Sequence, residues 1–185
     1  MTTPALPAAR TQRVALDGEL SAARAVELTG RDAHPVILTG HWAAVSAIVA
    51  SEPRHVASAA TSPVSSLAQR TPLLDGGDTV AVGGGWLGLI GYVAAARLAD
   101  EGLTHPPAHE RLPEAVLAYY DHVLVRDNDG RWWFECLWTP ERDGALQRRA
   151  EMLRDRLAHV AGTAAPALPA DATGGWTATP TPAAH

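Results

Sequence analysis

Residues 78–102 read "DTVAVGGGWLGLIGYVAAARLADEG", and the role of the glycines in this stretch decides the fold. Gly83-x-Gly85-x-x-Gly88 satisfies G-x-G-x-x-G, with a strand-like run before it and a helix-like run after it. If the glycines turn a core strand into a helix beneath a pyrophosphate, the chain is a doubly wound nucleotide protein. If they let backbone segments pass close together, or form bulges in a strand, the chain is something else.

The dinucleotide reading needs a second strand ending in an acid about 20 residues further on. Here the helix-like run Tyr92–Glu101, with Gly102 as its C-cap, leads into "THPPAHERLP", where three prolines deny both helix and central strand. No strand is expected before Ala115. Trp86 sits between the second and third glycines, in space a diphosphate would need. Gly91 falls where the binding helix should be established, at a cost of about 1 kcal/mol. A P-loop is excluded, because all fifteen basic residues are arginine and no Gly-Lys-Ser/Thr exists. The packing reading is therefore preferred.

The clearest unit lies downstream. "AVLAYYDHVLVRD" (Ala115–Asp127) and "RWWFECLW" (Arg131–Trp138) are β-branched and aromatic runs around Asn128-Asp129-Gly130, a hairpin signal. Trp132, Phe134, Cys136 and Trp138 share one strand face, and Arg131, Trp133 and Glu135 the other. The first face is buried, and Trp133 suggests that the second is partly covered. A long helix follows, with Thr139 as N-cap and Pro140 at its first position. Leu146, Ala150, Leu153, Leu157 and Val160 form its apolar stripe, leaving Arg148, Arg149, Arg154, Asp155 and Arg156 on a solvated face.

Upstream, residues 1–11 read as a loose start and Thr11–Leu16 as a strand. A short helix is expected after Ser21, stopped by Gly30. Pro35–Gly40 and Val45–Ala50 read as a hairpin turning at His41–Ala44, and Pro63–Arg70 as a helical turn or two. From Ala161 onward, alanine, proline, threonine and glycine read as a linker or tail. The pattern favours an α+β fold, with antiparallel β-sheets and packed helices, over regular βαβ alternation. Two regions are expected: a domain over 1–160 and a flexible tail over 161–185.

The 185 residues are 46% hydrophobic, enough for one core. No run approaches the roughly 18 apolar residues of a membrane helix, and Met1–Ala5 lacks a basic n-region, so no membrane association and no signal peptide are expected. The net charge is −5 and the arginines are scattered, which argues against nucleic acid as a partner. The single cysteine, Cys136, fits a reducing cytoplasm and reads as a small core residue rather than a nucleophile. His105 and His109 are separated by two prolines that forbid a shared helix face, so no metal site is expected there. Asp127–Gly130 resembles part of a calcium loop but lacks its other ligands and reads as a turn. No catalytic constellation stands out, and no catalytic or metal-ligating residue is assigned.

In its wider context "GGGWLGLIGY" resembles the Gly-Gly-x-x-Gly-x-x-Gly/Ser-Tyr segment in the amino-terminal region of chorismate-utilising enzymes. These are aminodeoxychorismate synthase component I and anthranilate synthase component I. The matching residues are Gly84, Gly85, Gly88, Gly91 and Tyr92. "LPEAVLAYYDHVLVRD" is similar to the family's Leu-Pro-Asp-like element and following long strand, with Glu114 where aspartate is usual. Val93 stands where an acid usually follows the tyrosine. "GRWWFECLWTPER" and "ILTGHWAAVSAIVASEP" are similar to the next strand and the early hairpin of the aminodeoxychorismate synthase branch. The resemblance spans roughly residues 35 to 160, and "WTATPTPAAH" is similar to the link into the catalytic domain.

The resemblance implies the amino-terminal half of the anthranilate synthase component I-like fold. It implies that this chain is the non-catalytic part of a protein converting chorismate to 4-amino-4-deoxychorismate, towards p-aminobenzoate and folate. Chorismate, magnesium and the catalytic residues would belong to a chorismate-binding region that follows, so no cofactor is expected within this chain. The implied partners are that region and a glutamine amidotransferase subunit. Two alternatives stand beside it: an anthranilate synthase component I fragment, and a stand-alone domain that binds a separate catalytic or amidotransferase chain. A tryptophan-like pocket is implied at Leu38, Thr39, Gly40 and Ser46. Thr39 and Gly40 depart from the usual Leu-Glu-Ser, which removes an acid that would meet the ligand's ammonium group. The plain reading of these residues is a hairpin of the core.

Overall fold

The computed structural model describes residues 8–42, 44–57, 67, 72–91 and 115–165. Nine strands are described: β1 (Ala9–Leu16), β2 (Val36–Trp42), β3 (Val45–Ala50), β4 (His55–Val56), β5 (Leu74–Gly77), β6 (Gly85–Ile90), β7 (Ala115–Tyr120), β8 (His122–Asp127) and β9 (Trp132–Trp138). They form a six-stranded sheet in the order β2-β3-β8-β9-β1-β5 and a three-stranded sheet in the order β4-β7-β6. Among the described residues β1–β5 is the one parallel pairing. A 3-10 helix, Ala22–Leu28, and the long helix α1, Asp143–Ala161, complete a mixed α+β fold.

The large sheet is the middle layer. On one face, Leu16, Leu20, Ala47, Leu124, Trp132, Phe134 and Cys136 pack against Ala25 and Leu28 of the 3-10 helix and the α1 stripe Leu146, Ala150, Leu153, Leu157 and Val160. The spacing of that stripe keeps it on one side of the helix. On the other face, Val45, Ala50, Val123 and Val125 meet Ala118 and Tyr120 of the small sheet, with Leu87 and Trp133 alongside. Residues 122–125 are buried on both faces, as the strand carries a layer on each side.

Several expectations hold. The β8–β9 hairpin closes in a turn at Asp127, whose carboxylate accepts from the Arg131 amide (2.8 Å) and Trp133 Nε1 (2.8 Å). The early hairpin forms as β2–β3, but β2 runs on to Trp42, so its turn is tighter than His41–Ala44.

Other expectations are corrected. The run Ala115–Asp127 is two strands in two sheets, broken at Asp121. The run Asp78–Val82 is not a strand, and the glycine segment is itself strand β6. The first strand begins at Ala9, within what reads as a loose start. The segment after Ser21 is a 3-10 helix, and the Ser21 side chain makes no capping bond. Helix α1 starts at Asp143, because the Thr139 carbonyl is taken by the Arg142 amide in a preceding turn (2.9 Å). Arg149 and Arg156 are not on a solvated face: both pair with Asp32. Helix Tyr92–Glu101, the proline loop with His105 and His109, and tail residues 166–185 lie outside the described residues, as does Pro63–Arg70 apart from Leu67. No described helix is long and apolar enough to cross a membrane.

Candidate functional site

The glycine segment begins where β5 leaves the edge of the large sheet. Asp78 fastens the departing chain to β1: its amide donates to the Thr11 carbonyl (2.8 Å), its carbonyl accepts from the Thr11 hydroxyl (2.6 Å), and its carboxylate accepts from the Arg13 amide (2.8 Å). Residues 79–84 then cross the face of the large sheet and enter β6. Three consecutive amides turn inward on the way. Those of Ala81, Val82 and Gly83 all donate to the Glu135 carboxylate, at 3.0, 2.8 and 3.0 Å.

This is an anion-binding nest of backbone N–H groups. Its anion is the protein's own. Glu135 is fully buried on β9. Its cross-strand partner is Arg13, whose Nε lies 3.3 Å from Oε1. That separation supports charge attraction, although Nε lacks hydrogen-bond geometry to any acceptor among the described residues. The Arg13 guanidinium also lies 4.0 Å from the Trp133 ring centroid, a cation–π contact on the same face. Among the described residues, the hydrogen-bond and ion-pair partners of the two carboxylate oxygens are all donors.

The motif glycines have a different task. A Cβ on Gly84 would come within 2.8 Å of the Tyr120 carbonyl oxygen, and one on Gly88 would collide with the carbonyl oxygen of Val116. Both oxygens belong to β7, which β6 pairs in register from Gly85↔Tyr120 to Ile90↔Ala115. The glycines therefore let β7 and its flanking chain approach without side chains between them. Gly85 lies in β6, Gly91 follows it directly, and Tyr92 is outside the described residues. Trp86 packs edge-on against His55 (5.9 Å) and Tyr119 (5.6 Å), which makes the ring an anchor, and its buried Nε1 has no partner among the described residues. The Tyr119 hydroxyl is pushed up to about 12 by burial and by the nearby Asp121 charge.

Two polar clusters join the layers. At the break between β7 and β8, Asp121 accepts from His122 Nδ1 (2.9 Å) and Arg142 Nε (2.7 Å). Burial works against its charged form, but these two partners hold its carboxyl below the usual range. On the helical side, Arg149 donates from Nε to His122 Nε2 (3.1 Å) and from Nη2 to Asp32 (2.6 Å) and Ser51 (2.7 Å). Because a guanidinium only donates, His122 Nε2 is the acceptor and its ring proton sits on Nδ1. Burial opposes the charge on Asp32, but Arg156, Arg149 and Ser51 overcome it and bring its pKa down to about 2. These side chains are mutually saturated, which suits a joint.

The hairpin residues singled out in the sequence are not brought into a closed pocket. Leu38 is 40% exposed, Thr39 and Gly40 are also exposed, and all three lie on edge strand β2. Ser46 is on β3 and its hydroxyl is taken up by Asp127 O (3.0 Å) and Arg126 Nη1 (3.0 Å). An open groove of about 770 Å³ runs beside the β8–β9 turn, and none of the four residues lines it. Cys136 is buried and its thiol is pushed up to about 12, first by burial and then by Asp121 and Asp78, so it is a packing residue. No group of three His, Cys, Asp or Glu residues among the described residues is placed to hold a metal ion.

Glu135 is what sequence reasoning missed. The sequence places it with Trp133 on a partly covered strand face but offers no partner for it. The available signal was its isolation: it is the single charge between Trp132 and Trp138. Asp121-His122 carries the same signal, as a polar pair between two apolar runs.

No family model matches the chain, and no curated protein matches it.

Proposed function

We propose that the chain is the amino-terminal, non-catalytic part of an aminodeoxychorismate synthase component I-like protein. The reading rests on the ordered resemblance from the early hairpin through "GGGWLGLIGY" to "GRWWFECLWTPER". The observation that carries it is the use of Gly84 and Gly88 for close backbone approach, which suits a structural signature better than a ligand cradle. Mostly antiparallel sheets with helices packed on one face are compatible with the amino-terminal half of that fold. In this reading chorismate, magnesium and the amination chemistry belong to a chorismate-binding region. Ammonia comes from an amidotransferase partner, and the described residues supply architecture.

The test is chorismate consumption. The purified chain, given chorismate, ammonia and magnesium, is expected to leave chorismate unchanged. It is expected to bind a separately produced chorismate-binding region. Turnover by the chain alone would overturn the non-catalytic reading, and failure to associate would count against the family assignment. Calorimetric titration with tryptophan is expected to show no binding, because Leu38, Thr39 and Gly40 are exposed and offer no carboxylate. Tight binding would move the assignment to the anthranilate synthase branch.

A further inference from the structure

The Ala81–Gly83 loop has the donors of a carboxylate site, and its ligand arrives from another strand. Oε2 of Glu135 receives the amides of Val82 (2.8 Å) and Gly83 (3.0 Å), while Ala81 spans both oxygens at 3.0 and 3.1 Å. Oε1 faces Arg13 at 3.3 Å. The arrangement matches a planar group with two oxygens.

The cradle is also held open by contacts that do not involve Glu135. The loop is tied to β1 at Asp78 by hydrogen bonds with Thr11 and with the Arg13 amide. At its other end Gly84 is seated against the Tyr120 carbonyl. Arg13 keeps its guanidinium in place by stacking on Trp133 at 4.0 Å. Removing the Glu135 side chain would therefore leave three inward amides and one cation around a buried hole. Unsatisfied donors of this kind are costly, and the hole accepts a group the size of the one removed.

We propose that this loop, together with Arg13, is a carboxylate-binding site whose resident ligand is Glu135, and that a small external carboxylate can take its place. The site then works as a joint: a carboxylate in the cradle ties the loop that feeds β6 onto β9 of the large sheet. In the native chain Glu135 excludes external anions, because a tethered ligand competes at high effective concentration.

The experiment is rescue of Glu135→Ala. Formate or acetate is expected to raise its unfolding midpoint in proportion to the logarithm of concentration, as linkage requires of a ligand bound only by the folded state. Chloride at the same ionic strength is expected to have no such effect, and the native chain is expected not to respond to either carboxylate. In the folded variant, formate should shift the amide resonances of Ala81, Val82 and Gly83 saturably. If Glu135→Ala folds poorly in buffer, the readout is its refolded yield in formate against chloride. Glu135→Gln fills the hole, but with its carbonyl oxygen in the Oε2 position its N–H₂ faces the Arg13 guanidinium and the charge is lost, so it should be destabilised without rescue. A Glu135→Ala variant whose midpoint, yield and loop amides ignore formate would overturn the proposal. So would a Glu135→Gln variant as stable as the native chain.

Discussion

On the helical side of the large sheet, Leu157 of α1 is fully buried among side chains from β1, β8 and β9. On the opposite side, the small sheet meets the large one through Ala118, Tyr120 and Leu87, the close backbone approach at Gly84, a backbone nest around Glu135, and a bend at Asp121. The first interface is side chain against side chain. The second depends as much on missing side chains and paired charges. The lesson is that two layers of one protein respond to different perturbations: the first to lost volume, the second to added volume or lost charge.

The largest expected effect is on the packed side. Leu157→Ala should lower global stability by about 2–5 kcal/mol, through lost transfer energy and the cavity left behind. Denaturant unfolding would measure it, and a loss much below that range would mean the helix layer is not the dominant core.

Gly88→Ala should cost about 3 kcal/mol, near the top of the overpacking range, because the obstacle is the β7 backbone rather than a flexible side chain. Its signature should be local. Hydrogen exchange should quicken at the β6–β7 ladder while amides of α1 keep their protection. Uniform loss of protection would erase the distinction between the two layers.

The smallest effect concerns the polar joint at Asp32. Folding lowers its pKa from the ordinary 3.8 to about 2, so the folded state binds that proton less readily than the unfolded chain. The joint's contribution, about 2 kcal/mol, is complete above the ordinary value and is lost as pH falls through about 2. Stability of Asp32→Asn should accordingly vary less across that acid window than stability of the native chain. Equal acid slopes for the two proteins would show that Asp32 is not a charged joint.

The same contrast explains what was legible in the sequence. The α1 stripe and the β8–β9 hairpin are written in local periodicity and in Asp129-Gly130, and both formed where the pattern placed them. Local signals fail where a partner is remote. The break at Asp121 is hidden inside one apolar run, because strand alternation continues through a change of sheet. Glu135 lies more than fifty residues from the loop it binds, and neither segment alone reveals the other. Arg149 and Arg156 read as solvated because Asp32, their partner, belongs to the turn after the 3-10 helix. The glycine motif is set apart from a dinucleotide turn by forming strand β6 itself, and the anion that fills the nest beside it is visible only in three dimensions.

The central claim is that the glycine segment joins two sheets and that its anion site is filled from within. The most direct measurement is an amide NMR titration of the native chain with NADH and ADP, following Ala81, Val82 and Gly83. The account predicts that these three resonances stay where they are at millimolar nucleotide. Saturable movement of all three together, at either nucleotide, would contradict it.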